Sequence, residues 1–117
     1  MSISRVVPDI ASEHIDESRE FYTGLLGFTV AMDMGWIVTF ASPSNATAQV
    51  SVMRRSAGSA AQPDISVEVS DVDACHTRAV SQGCAIVYPL TDEPWGVRRF
   101  FVVDPGGTIV NVLAHIG

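Results

Sequence analysis

Two kinds of hydrophobic spacing take turns along this chain. The run RVVPDIAS, residues 5–12, predicts a first strand, and Pro8, which has no N–H, limits it to a sheet edge or a strand end. From Ser12 or His14 the spacing lengthens to three and four. Ile15, Arg19 and Tyr22, with Ser18, Phe21 and Leu25, then give a helix whose later turns are apolar on one face. Asp16 and Glu17 complement its N-terminal dipole, and Gly27 offers a left-handed stop. Three strands are predicted next, FTVAMDM, WIVTFAS and AQVSVMRR, separated by Gly35 and by PSNAT. The whole pattern then recurs. DISVEVS alternates as a strand, and VDACHTRAVSQG returns to helical spacing and stops at Gly83. AIVYPL, RRFFVVD and TIVNVLAH complete it, with DPGG at 104–107 as a tight hairpin turn.

The two helical starts, His14 and Asp71, lie 57 positions apart (71 − 14), close to half the chain. The later strands match as well, with Pro43 answering Pro105. The reading is an internal duplication: module one at 1–55, a small and polar linker SAGSAAQP at 56–63, and module two at 64–117. Half a chain of this length is too short for a robust core, so the modules form a single domain, 1–117. The expected fold is α+β, two βαβββ modules whose curled mixed sheets surround a cup, with the site between the halves.

Composition narrows the function. At 47% hydrophobic the chain is globular, and no apolar run approaches the ~20 residues of a membrane span. The N-terminal segment lacks the layout of a signal peptide, so a cytoplasmic location and no membrane partner are expected. The formal charge is −6, and all seven basic residues are arginine. An acidic chain without a basic stripe argues against nucleic acid as a partner. Cys75 and Cys84 have no metal-site or redox spacing and are read as reduced packing residues.

FYTGLLGF after a strand, its weaker second copy, and DEPWGVRRFFVVDPGGTIVNV together resemble the vicinal-oxygen-chelate superfamily. That group includes glyoxalase I, extradiol dioxygenases, and fosfomycin- and bleomycin-resistance proteins, and the resemblance covers nearly the whole chain. In metal-dependent members a His or Gln on the first strand and a Glu on the last strand of each module hold a divalent ion. Carried to this chain residue by residue, those positions are Val7, Ser51, Asp64 and Asn111. Valine cannot ligate, serine and asparagine are weak neutral donors, and one carboxylate holds a transition metal poorly. Sliding the first strand yields only Val6, Pro8 or Asp9, while Gln49 shares the Ser51 face. The three histidines, His14, His76 and His115, have no ligand spacing. His14 is read as a cap or surface group, His76 as facing solvent, and His115 as either an exposed tail residue or a cavity group. A family-type metal is therefore disfavoured, no catalytic residue is assigned and no cofactor is expected.

The PWG and DPGG segments resemble most closely the metal-free bleomycin-resistance proteins, which implies a small-molecule binding protein, a homodimer, with antibiotic or metabolite sequestration as its role. Its expected ligand-binding residues are Trp36, Ser51, Asp64, Trp95, Arg99 and Asn111. The two indoles supply flat stacking surfaces. Arg98 and Arg99 depart from the more acidic family pattern and leave the sign of the ligand's charge open. The alternative is a metal-dependent glyoxalase- or dioxygenase-like enzyme with an atypical site, and a third reading has the cup filled by the protein's own side chains.

Overall fold

A computed structural model describes residues 2–54 and 62–116. Most of the expected linker, residues 56–61, lies outside the described residues. Among the described residues eight strands and two α-helices follow in chain order: β1 Ile3–Ser12, α1 Ile15–Glu20, β2 Thr29–Asp33, β3 Ile37–Ala41, β4 Gln49–Arg54, β5 Ile65–Val69, α2 Val72–Ser81, β6 Ile86–Asp92, β7 Val97–Val103 and β8 Ile109–His115. This is βαβββ twice, an α+β fold.

The chain forms two compact units, and the boundary falls inside β1. Residues 7–54 make the first unit, and residues 2–6 with 62–116 make the second. Module one as read from the sequence therefore gives its first residues to the second unit. The reason is hydrogen bonding. The Ser70 N–H donates to the Ser2 carbonyl at 3.0 Å and Arg5 pairs with Glu68 at 2.8 Å, whereas Asp9 to Ser12 run parallel to Ser51 to Arg54 of β4. Pro8 sits at this handover, where β1 is the edge strand of each unit's own sheet.

In the first unit the strand order is β2-β3-β4-β1, antiparallel except for β4 beside β1. Ile15 of α1 packs onto Val38, Phe40, Val50 and Val52, and Tyr22 stacks on Phe40 at 5.2 Å. Burial of side chains such as Phe40 and Val38 contributes about 1.5–3 kcal/mol apiece. The helix starts without a side-chain cap from His14; the Ser12 hydroxyl instead accepts the His14 N–H at 2.9 Å. Past Glu20 it widens to a π-helical turn, Phe21–Leu25, closed by the Leu26 N–H donating to the Phe21 carbonyl. Gly27 then takes φ +83°, the left-handed stop its position predicts.

In the second unit the order is β1-β5-β8-β7-β6, with β5 and β8 parallel. Here Asp71 caps α2 in earnest, its Oδ1 accepting the Ala74 N–H at 3.0 Å. Val72 and Ala79 of the helix pack onto Val69, Phe100 and Val112. Both cysteines are free thiols that border this core, and burial pushes the Cys75 thiol up. His76, read as facing solvent, is half-buried. Its ring meets Phe100 edge-on at 5.0 Å.

Candidate functional site

Successive strand residues face opposite sides of a sheet. In the second unit Val67, Val69, Phe100, Val110 and Val112 pack on the α2 side. Their alternates, Ser66, Glu68, Arg99, Phe101, Asn111 and His115, therefore share the helix-free face. Register sets them in rows: Ser66 beside Asn111 beside Phe101 beside Tyr88, and one step along, Glu68 beside Leu113 beside Arg99.

Arg99 is the centre of this face. Its Nε and Nη2 both donate to Oε2 of Glu93 at 2.7 Å, and the Tyr88 hydroxyl donates to the same oxygen at 3.1 Å. The guanidinium carbon lies 4.9 Å from the Phe101 ring, 5.1 Å from Trp95 and 5.2 Å from Tyr88. A delocalised, weakly hydrated cation suits such an aromatic enclosure better than an ammonium would. The tight turn after β6 makes the cluster. The Glu93 N–H donates to the Val97 carbonyl at 2.7 Å and the Gly96 N–H to the Glu93 carbonyl at 3.1 Å, so Glu93 and Trp95 are both held back over β7. Trp95 keeps one exposed side.

Next to this cluster is Asn111, 7% exposed. Its Nδ2 donates to the Ser66 hydroxyl at 3.0 Å, while its Oδ1 is buried with no partner among the described residues. At the end of the same strand His115 Nδ1 lies 2.6 Å from Glu68 Oε2, and Glu68 Oε1 accepts from Arg5 at 2.8 Å. Burial alone would raise the Glu68 carboxyl, but the hydrogen bond from His115 and the charge and hydrogen bond of Arg5 hold it below the usual range.

The helix-free face of the first unit is quieter. Ser51 is buried and shares a 2.7 Å hydrogen bond with Thr39. Its neighbour on β1 is Asp9, which is also buried; Val7, two residues earlier on the same alternation, is buried too. Trp36 is exposed just before β3, and its carbonyl accepts the Arg54 N–H at 2.7 Å.

Of the six expected ligand residues, Trp95 and Arg99 are in contact and Asn111 adjoins their cluster. Trp36 and Ser51 belong to the first unit. Asp64 precedes β5, and its Oδ2 accepts the Ile109 N–H at 2.9 Å while its own N–H donates to the Ile109 carbonyl. It splices β5 to β8, and the strand neighbour of Asn111 is Ser66. Sequence reasoning missed Glu93, Tyr88 and Phe101. Glu93 six positions before Arg99 across a PWG turn was the available signal, and the facing pair Asp92 and Arg98, 2.8 Å apart, carries the same one. Asp9, which the sequence reading reached only by sliding the first strand, is the residue that β1 places beside Ser51.

No group of three or more His, Cys, Asp or Glu side chains among the described residues is placed to hold a metal ion, and no described helix is long and apolar enough to cross a membrane. Comparison with solved structures finds the same fold repeatedly. A glyoxalase/bleomycin resistance protein/dioxygenase superfamily member from Vibrio splendidus 12B01 matches with TM-score 0.74 at 18% identity, over 97% of this chain and 99% of that one. A hypothetical protein from Bacillus halodurans C-125 matches with TM-score 0.76 at 14% identity, over 100% and 97%. A mutant homoprotocatechuate 2,3-dioxygenase from Brevibacterium fuscum gives TM-score 0.74 at 17% identity, this chain spanning 33% of its length. Comparison with curated proteins finds no match. The family model described as Glyoxalase/Bleomycin resistance protein/Dioxygenase superfamily matches residues 2–112, and the chain belongs to that superfamily.

Proposed function

We propose that this protein binds a small, flat molecule on the helix-free face of its second unit, without a family-type metal. The observation that carries the reading is the unpartnered Oδ1 of Asn111, buried beside the aromatic enclosure of Arg99. Leaving a buried acceptor unpaired costs about 1–3 kcal/mol, which a ligand N–H or O–H would return. Trp95, exposed on one side and backed by the Arg99 guanidinium on the other, offers the stacking surface. One polar anchor beside a broad apolar surface is the usual make-up of a ligand site.

The donors at the inherited metal positions do not fit a transition ion. Val7 has none, the Ser51 hydroxyl is engaged by Thr39, the Asp64 carboxylate by Ile109, and Asn111 offers a neutral amide. Retaining a ligand by stacking and hydrogen bonds needs no Lewis acid, and sequestration of an antibiotic or aromatic metabolite is the role we assign. The test is a thermal-shift and calorimetric screen of aromatic antibiotics and planar metabolites, each with and without EDTA. Binding should survive the chelator, and Asn111→Leu should lose it while the free protein stays as stable as before. Stoichiometric divalent metal in the purified protein, with an activity that Asp64→Ala removes along with the metal, would establish the enzymatic alternative instead.

A further inference from the structure

Arg98 and Arg99 are adjacent cations beside the candidate site, and either could recruit an anion. Alternation sends them to opposite faces of β7. Arg98 turns to the helix side, where Asp73 of α2 takes its Nη2 at 2.9 Å and Asp92 takes its Nη1 at 2.8 Å. Of the two, Arg99 is the one that shares the face of Asn111.

Arg99 carries a charge that its neighbour cancels. The Glu93 side chain is only 8% accessible, so the pair sits largely out of water, where screening is weak. One carboxylate faces one guanidinium at 2.7 Å, and together they sum to zero. Arg5, the second cation that reaches this face, is matched in the same way by Glu68. The donors are committed too. Nε and Nη2 of Arg99 and the Tyr88 hydroxyl go to Oε2 of Glu93, and Nδ2 of Asn111 goes to Ser66. What stands open is an acceptor, Oδ1 of Asn111. Yet the guanidinium keeps the means to hold an anion. Its Nη1 is engaged by no described residue and is not buried. A carboxylate has N–H groups to bond there, and the charge of Glu93 opposes it.

We propose that Glu93 sets the charge class of the ligand: this face takes a flat, uncharged molecule with an N–H or O–H at its edge and turns away aromatic carboxylates. The inference rests on the binding reading above and adds the chemical class to it. The physical basis is a near-cancellation. A carboxylate beside Nη1 gains from Arg99 and loses to Glu93 by similar amounts, because the two opposite charges lie within one hydrogen bond of each other. It must still give up its hydration, which is costly for an ion. The net charge of −6 adds a longer-range repulsion. An amide of the same shape gives up far less hydration and satisfies Oδ1 of Asn111. Selectivity here comes from a repulsive group as much as from an attractive one.

The test is calorimetric titration of the full chain with two probes of one shape, naphthalene-2-carboxamide and 2-naphthoate, with a thermal melt of each variant. Wild type should bind the carboxamide at least about tenfold more tightly than the carboxylate. Glu93→Gln keeps an acceptor oxygen for Arg99 and removes the opposing charge. It should bind 2-naphthoate about tenfold or more tightly than wild type does. That gain should vanish when Arg99→Met is added, an outcome that a purely structural role for Glu93 does not predict. A wild type that takes the carboxylate as well as the carboxamide overturns the charge assignment and leaves a flat-ligand site in place. A folded Glu93→Gln protein with no gain for 2-naphthoate overturns it as well, and if that variant does not fold, the comparison in wild type decides alone. Binding of neither probe also overturns the assignment, and the aromatic screen above then decides whether the site itself survives.

Discussion

Removing Glu93 isolates the energetics of the Arg99 cluster. In Glu93→Ala the guanidinium, with 17% of its side chain accessible, loses both 2.7 Å hydrogen bonds, and the Tyr88 hydroxyl loses its acceptor. Stranding one member of a buried pair typically costs 3–5 kcal/mol. Three aromatic rings remain around the cation and return part of this, so a net loss of about 3 kcal/mol is expected. For a domain of this size that is a fall of roughly 10 °C in Tm. Adding Arg99→Met should recover at least half of the loss, because an apolar, polarizable chain suits the same three rings. Chemical denaturation of wild type, both single variants and the double variant closes the cycle. A loss below about 1 kcal/mol for Glu93→Ala, or a double variant less stable than that single one, would refute the reasoning.

Other expectations rest on single features. Asp71→Ala should cost about 1 kcal/mol through its lost cap on α2, whereas His14→Ala, which caps nothing, should change equilibrium stability by a few tenths at most. Phe100→Ala should cost about 3–5 kcal/mol, read from urea melts, since its ring is fully buried between α2 and the sheet. Acid should destabilise the fold. Arg98 beside Asp73 holds that carboxyl below its ordinary value, as His115 and Arg5 do Glu68. A carboxyl lowered in the folded state adds stability above its unfolded pKa and loses it as pH falls through the folded one, so the decline should start near pH 5 and continue below about 4. Asp73→Asn should flatten that decline in melts recorded against pH.

The fold was largely legible because its signals are local. β-rich runs between turn signals and helical spacing located the eight strands and two α-helices of the described residues, and Gly27 and Gly83 marked both helix ends with positive φ. The π-helical turn at Phe21–Leu25 was not legible, because an i to i−5 shift leaves no composition of its own. The division of β1 between two sheets was hidden for a similar reason: its partners are set by register with β4 and β5, far away in sequence. At the candidate site, Trp95 and Asn111 came from matching the two copies, and Arg99 from its departure from the family pattern. Glu93 and Tyr88 did not, since the irregular β6–β7 pairing that brings them under Arg99 has two register breaks that no alternation rule anticipates.

Sharing β1 has a consequence for the order of synthesis. Residues 3–6 leave the ribosome some sixty positions ahead of β5, the strand they pair with, a delay of roughly 3–12 seconds at ordinary translation speeds. Throughout that interval β2, β3 and β4 can pair with one another and with the later half of β1, while the earlier half waits with its backbone groups open. The first module is thus obliged to emerge with an unfinished edge, and the second closes it on arrival.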